Sequence, residues 1–131
     1  TAYEITYGDW SSDVCSSDLV DCEDYVATGA PRLGAAGGNT TISVVALNRT
    51  FAKVDLHRIA RAASGAYARR IGPFATRHDG DIVFAVCPMD APPGDLMIAE
   101  VNATRALEGA IVRAVTEAKG RDGIPGLADG R

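Results

Sequence analysis

The chain has 131 residues, is 47% hydrophobic and 23% charged, and carries 13 lysines and arginines against 17 aspartates and glutamates, a formal charge of −4. That balance gives no electrostatic case for nucleic acid or an anionic membrane as a partner. No stretch is long or apolar enough to span a bilayer, and no secretory signal is visible.

Taken in order, residues 1–19 resemble the conceptual translation of a sequencing-library adapter, in Thr-Ala-Tyr-Glu-Ile at 1–5 and Gly-Asp-Trp-Ser-Ser-Asp-Val-Cys-Ser-Ser-Asp-Leu at 8–19. They are set aside as an artefact with no expected order, the rival reading being a disordered acidic leader. This stretch holds four acids (Glu4, Asp9, Asp13 and Asp18) and no lysine or arginine. Setting those four aside from the 17 leaves 13, which matches the 13 basic residues, so the remainder is formally neutral. Cys22 and Cys87 then remain in unlike settings, one in a predicted loop and one ending an apolar strand. They make neither a disulfide framework nor a metal site, and no metal or other cofactor is expected. Three Asn-x-Thr sequons, at Asn39, Asn48 and Asn102, are read as chance, and the expected compartment is the cytoplasm.

Residues 20–38 are rich in glycine and alanine, with Pro31 and no sustained period, and read as mostly loop. Gly-Ala-Ala-Gly-Gly at 34–38 lacks a preceding strand and a following helix, so it is not a phosphate-binding fingerprint. Thr41 to Leu47 is β-branched and predicts a strand. A helix is predicted from about Val54 to Arg70, with Leu56, Ile59, Ala60, Ala63, Tyr67 and Ile71 forming its apolar stripe. His57 reads as a surface residue, and Arg58, Arg61, Arg69 and Arg70 as a solvated face. Gly72-Pro73 stops the helix. Asp81 to Cys87 predicts a second strand, whose unbroken run Ile82-Val83-Phe84-Ala85-Val86 implies burial on both faces. Pro88 to Asp95 is a loop, and a second helix is predicted from about Leu96 to Lys119, with Leu107, Ala110, Ile111, Ala114, Val115 and Ala118 as its stripe and Gly120 as its C-cap. Little regular structure is expected in the tail. The order is strand, helix, strand, helix, an α/β class.

Two stretches carry chemistry. In Gly37-Gly38-Asn39-Thr40-Thr41-Ile42 a glycine-rich loop runs into Asn-Thr and then at once into a strand. Such a loop permits the strained backbone from which the Thr40 hydroxyl can attack the Asn39 carbonyl. Hydrolysis of the ester so formed leaves Thr40 with a free α-amine, which titrates near about 7.7–8.0 and can serve as the hydroxyl's base. Asp79-Gly80-Asp81 opens the second strand 39 to 41 positions after Thr40. Alternate residues of extended chain point the same way, so both carboxylates can share a face while Gly80 leaves room on the other. Carboxylates beside an amine position it and tune its proton. Asp-Gly is also a turn signal, and a turn-and-cap role accounts for both aspartates without chemistry.

Together these residues resemble the self-processing hydrolases that include the DmpA-type L-aminopeptidase/D-esterase and the nylon-oligomer endohydrolases. The resemblance rests on Asn39-Thr40-Thr41-Ile42, Val44-Val45-Ala46, the helix before Ile71, and Asp79-Gly80-Asp81-Ile82-Val83-Phe84-Ala85, and weakens through Ala106 to Arg113 and Gly123-Ile124-Pro125. It covers residues 40–131, the family's C-terminal β-subunit. It implies one portion of a four-layer α/β/β/α sandwich, with residues 20–39 a remnant of the upstream α-region. It implies self-cleavage between Asn39 and Thr40, then hydrolysis of peptide or ω-amino-acid amide bonds through a Thr40 acyl-enzyme, with Asp79 and Asp81 holding the nucleophile. The implied partners are the upstream α-subunit region, which supplies a lysine and an oxyanion asparagine, and further αβ units in a homo-oligomer. The segment alone is therefore expected to be inactive. Relatives often carry a histidine early in the loop before the aspartates, where this chain has Ala75. His78 stands directly before Asp79 instead and is left out of the site. The alternative function is a non-catalytic binding or assembly module of the same fold.

Overall fold

The structure is a computed structural model and describes residues 22–29, 40–77 and 79–129. The expectations for residues 1–19, for Gly34 to Gly38, for Asn39 and for His78 lie outside the described residues. Six elements follow in order: α1 (Cys22–Ala27), β1 (Ile42–Ala46), α2 (Lys53–Ala63), α3 (Gly65–Arg70), β2 (Ile82–Val86) and α4 (Leu96–Thr116).

β1 and β2 pair in parallel, with Ile42 beside Ile82, Val44 beside Phe84 and Ala46 beside Val86. The bond from Ile82 N to Thr41 O (2.9 Å) closes one end of the ladder, and that from Leu47 N to Val86 O (2.9 Å) the other. Both strands are β-branched or aromatic at most positions, and alternation sends Val45, Val83 and Ala85 toward the helices. There they meet Ile59, Ala63, Ala66 and Tyr67 from α2 and α3, and Ala99, Ala103 and Leu107 from α4. Alanine at so many of these positions lets α2 and α4 approach closely. Two layers result, a sheet and a helical layer on one of its faces.

On the sheet's other face the side chains are exposed, with no described helix over them. Ile42 is 67% exposed, Val44 62% and Phe84 49%, with Ile82 and Val86 also exposed. This corrects the expectation that β2 is buried on both sides, because the helices cover only one side of it.

Three further expectations are corrected. The loop read over residues 20–38 contains α1, whose Glu23 side chain lies over Gly72: a Cβ there would stand 2.8 Å from Glu23 Oε1. The single helix expected from Val54 to Arg70 is divided at Ser64. The Ser64 hydroxyl donates back to Arg61 O (2.8 Å), and Tyr67 N bonds Ser64 O (3.0 Å) in a tight turn; a Ser-Gly pair favours such a break. The buried stripe of α4 is Ala99, Ala103, Thr104 and Leu107, whereas Ala110 and Ala114 are exposed and the C-cap is Glu117 rather than Gly120. Of the expected stripe, Leu107 is in the core and Ile111 packs against it, and Glu108 between them is held by α3. Asp95 caps α4 by accepting from Ile98 N (2.9 Å).

The predicted arginine face is exposed but not idle. Arg58 pairs with Glu100 at 3.5 Å, while Arg69 and Arg70 both reach Glu108, so the pairs tie α2 and α3 to α4. The two arginines hold the Glu108 carboxyl below the ordinary glutamate value, chiefly through the hydrogen bond from Arg69. Among the described residues no helix is long and apolar enough to cross a membrane.

Candidate active site

The parallel register decides where the predicted residues meet. With Ile42 beside Ile82, the residues before them run side by side, Thr41 against Asp81 and Thr40 against Gly80. Thr41 N donates to Asp81 Oδ1 at 2.8 Å, and Ile82 N donates to Thr41 O at 2.9 Å. Both sides of Thr41 are thus held by the start of β2.

Thr40 is exposed at this mouth, and its hydroxyl lies over Gly80. A Cβ at Gly80 would stand 2.8 Å from Thr40 Oγ1, closer than van der Waals contact allows. The hydroxyl in this rotamer and a Cβ at position 80 exclude one another. With any other residue here the Thr40 side chain would have to turn away.

The two aspartates have different partners. Asp81 binds the Thr41 amide. Asp79 Oδ2 accepts from Thr76 N at 2.6 Å, while Asp79 N donates to Thr76 O at 3.1 Å, a reciprocal turn that closes the loop before β2. Thr40, Gly80 and Asp81 are brought together directly, and Asp79 adjoins them in sequence with its carboxylate engaged on Thr76. Asn39 and His78 lie outside the described residues.

Behind the mouth stands Tyr67. Its ring is fully buried and tilts against Phe74 at 5.7 Å. Its hydroxyl is hydrogen-bonded with Ser43 Oγ at 2.7 Å and lies 3.2 Å from Ile82 O and 3.4 Å from Thr41 O. The sequence pattern identified Tyr67 only as an apolar position of a helix stripe. The available signal was a phenol in a stripe otherwise made of alanine and aliphatic residues, since a buried tyrosine hydroxyl needs a partner. The opposite end of the strands is closed: Thr50 Oγ1 donates to Pro88 O (3.0 Å) and Ala91 O (2.6 Å), joining the loops that leave β1 and β2.

A groove of about 280 Å³ lies between the helices, lined by Ala62, Arg69, Glu100, Val101, Thr104 and Arg105. No residue of the strands or of the Thr40 mouth lines it. Its Arg69 and Glu100 are already paired with Glu108 and Arg58. The chemistry-bearing residues thus sit on an open surface and not in this groove.

Residues 9–127 match the sequence model of peptidase family S58. The chain is 37% identical over 101 residues to an uncharacterized aminopeptidase of Mycobacterium leprae, a match that covers 66% of this chain and 28% of that protein. It is 37% identical over 68 residues to the 6-aminohexanoate-oligomer endohydrolases of Agromyces sp. and Paenarthrobacter ureafaciens, covering 52% of this chain and 19% of each relative. The chain thus spans less than a third of the length of the curated relatives it matches.

Proposed function

The chain belongs to peptidase family S58, and on that premise we propose that it is the nucleophile-bearing segment of a self-processing amide hydrolase. One observation carries the reading: the Thr40 hydroxyl lies over Gly80 while Asp81 grips the next amide in the chain. A nucleophile needs an accessible oxygen on a fixed backbone, and this arrangement supports both requirements.

The steps are as follows. Thr40 Oγ attacks the Asn39 carbonyl carbon, the Asn39–Thr40 C–N bond breaks, and an ester forms as the proton passes to the departing amine. Water hydrolyses the ester, leaving Asn39 with a carboxylate and Thr40 with a free α-amine. That amine then accepts the Thr40 hydroxyl proton as the oxygen attacks a substrate amide. The acyl group moves to Thr40, the substrate amine leaves with the proton, and water frees the enzyme. Asp81 anchors Thr41 and so the reacting residue beside it. Asp79 shapes the loop that carries Gly80, and the two carboxylates hold charge near the new amine. Peptides and ω-amino-acid amides are the substrate class, a reading supported by the names of the relatives.

Segments upstream of Thr40 in the longer protein complete the site. They contribute the oxyanion donors, each worth a factor of about 10²–10³. They also contribute a second sheet over the open face of Ile42, Val44, Ile82, Phe84 and Val86, giving the four-layer α/β/β/α sandwich; a parallel sheet is ordinarily covered on both faces, which supports this placement. Several such units assemble into a homo-oligomer.

The test is amide hydrolysis by the protein expressed together with its upstream coding sequence. Aminoacyl anilides and 6-aminohexanoate amides should be cleaved by the wild type and not by Thr40→Ala. Cleavage that survives Thr40→Ala would remove Thr40 from the chemistry. A folded wild type that cleaves neither substrate class would favour a non-catalytic assembly module.

A further inference from the structure

Tyr67 has no place in the steps above, yet with Ile59 it is one of the largest fully buried side chains among the described residues, and its hydroxyl reaches both strands. The phenol has one proton and faces three oxygens: Ser43 Oγ, Ile82 O and Thr41 O, at 2.7, 3.2 and 3.4 Å. Carbonyls can only accept. Every group is satisfied when the Ser43 hydroxyl donates to the phenol oxygen and the phenol proton is shared between the two carbonyls.

The location of those carbonyls gives this network its meaning. Thr41 O belongs to the residue after Thr40, and Ile82 O to the residue after Asp81. Thr41 is gripped on its amide by Asp81 Oδ1 and on its carbonyl by Ile82 N, and the phenol adds a bond from beneath. The ring is fixed in turn by Phe74, in the loop that leads to Asp79. A rigid, buried tyrosine thus ties the residue before β1 and the first residue of β2 to the helical layer at the level of the mouth. A two-stranded parallel sheet has little stiffness of its own.

We propose that Tyr67 is a positioning residue: through Thr41 O and Ile82 O it sets the separation of the two strand mouths and thereby holds the Thr40 hydroxyl over Gly80. It touches no reacting atom. The proposal rests on the reading of Thr40 as nucleophile, and its first test does not depend on that reading.

In the 131-residue chain, Tyr67→Phe removes the hydroxyl and keeps the ring. Amide hydrogen exchange at Thr41 and Ile82 should accelerate about tenfold, the scale of one lost hydrogen bond, with amides of α4 unchanged. Three-bond couplings of Thr40 should pass from one side-chain rotamer to an average. Uniform acceleration, or no change at Thr41 and Ile82, would overturn the proposal. A second variant separates positioning from burial. Ser43→Ala with Tyr67→Phe removes both hydroxyls and should recover thermal stability, because an apolar pair leaves no unsatisfied side-chain group. In the longer protein, cleavage at Asn39–Thr40 should stay about tenfold slow in this double variant. Recovery of cleavage together with stability would make Tyr67 a core residue and nothing more. A wild type that does not cleave at Thr40 would instead refute the nucleophile reading, and the exchange and coupling measurements would still decide whether Tyr67 fixes the mouth.

Discussion

The hydroxyl of Thr40 has room because residue 80 has no side chain. Gly80→Ala puts a methyl 2.8 Å from Thr40 Oγ1 and forces the threonine into another rotamer. In the longer protein that substitution should slow processing at Thr40 about tenfold or more, since a misplaced nucleophile is costly. Its effect on Tm should be small, because both residues lie at the exposed mouth. Asp81 allows its anchoring and its charge to be separated. Asp81→Asn keeps an oxygen for Thr41 N, so exchange at Thr41 should stay slow, while Asp81→Ala should expose that amide; nuclear magnetic resonance reads the difference directly. The order of a strand after Thr40, a helix and a second strand after Asp81 was legible in the sequence, but the parallel register that sets Thr41 beside Asp81 was not, because spacing alone does not say which strands pair. The division of labour between the aspartates was not legible either. Which backbone amide each carboxylate captures depends on the turn at Thr76 to Asp79, and spacing does not encode that turn. The phenol of Tyr67 was hidden for a related reason: helical periodicity counts tyrosine as an apolar position and ignores its hydroxyl.

Strand and helix order was readable because β-branched runs and the α2–α3 stripe are strongly periodic, but the stripe of α4 was not. That helix has alanine, valine or isoleucine on most of its faces, so periodicity alone does not choose among them, and contact with α2 and α3 selects Ala99, Ala103 and Leu107. α1 escaped notice because it is six residues long and lies among glycines and alanines. α4 is anchored at its start by Asp95, and Asp95→Ala should cost about 1 kcal/mol of stability, measured by chemical denaturation. The junction of α3 and α4 responds to acid. Glu108 has a depressed pKa when folded, so its pairs with Arg69 and Arg70 stabilise the fold above the ordinary carboxylate range. That contribution disappears as pH falls through the depressed value. Glu108→Gln should therefore lower Tm slightly near neutrality and flatten its decline in acid, as read from thermal melts across pH. The pair faces solvent, which makes the effect small and sensitive to salt.

At the scale of the molecule, the described helices cover one face of the sheet. The other face presents five large apolar side chains, among them Ile42 at 67% exposure. A patch of this kind calls for a covering layer or drives association. The chain on its own should self-associate, and Ile42→Thr with Phe84→Thr should reduce this in sedimentation without unfolding the strands, because threonine keeps β propensity. On the proposed reading, in which an upstream sheet covers this face in the longer protein, the same pair should weaken folding there. The mouth also sits at the amino ends of the parallel strands, whereas open α/β sheets usually bind ligands at the carboxyl ends. That inversion fits the proposed role of Thr40, a nucleophile that becomes a new amino terminus just before its strand. All of this turns on Thr40 becoming a terminus, which the intact mass of the protein expressed with its upstream sequence tests most directly. Two pieces divided between Asn39 and Thr40 should appear in the wild type, and one uncut chain in Thr40→Ala and in the 131-residue chain alone. Division at that bond in Thr40→Ala, or a folded wild type that stays whole, would contradict the account.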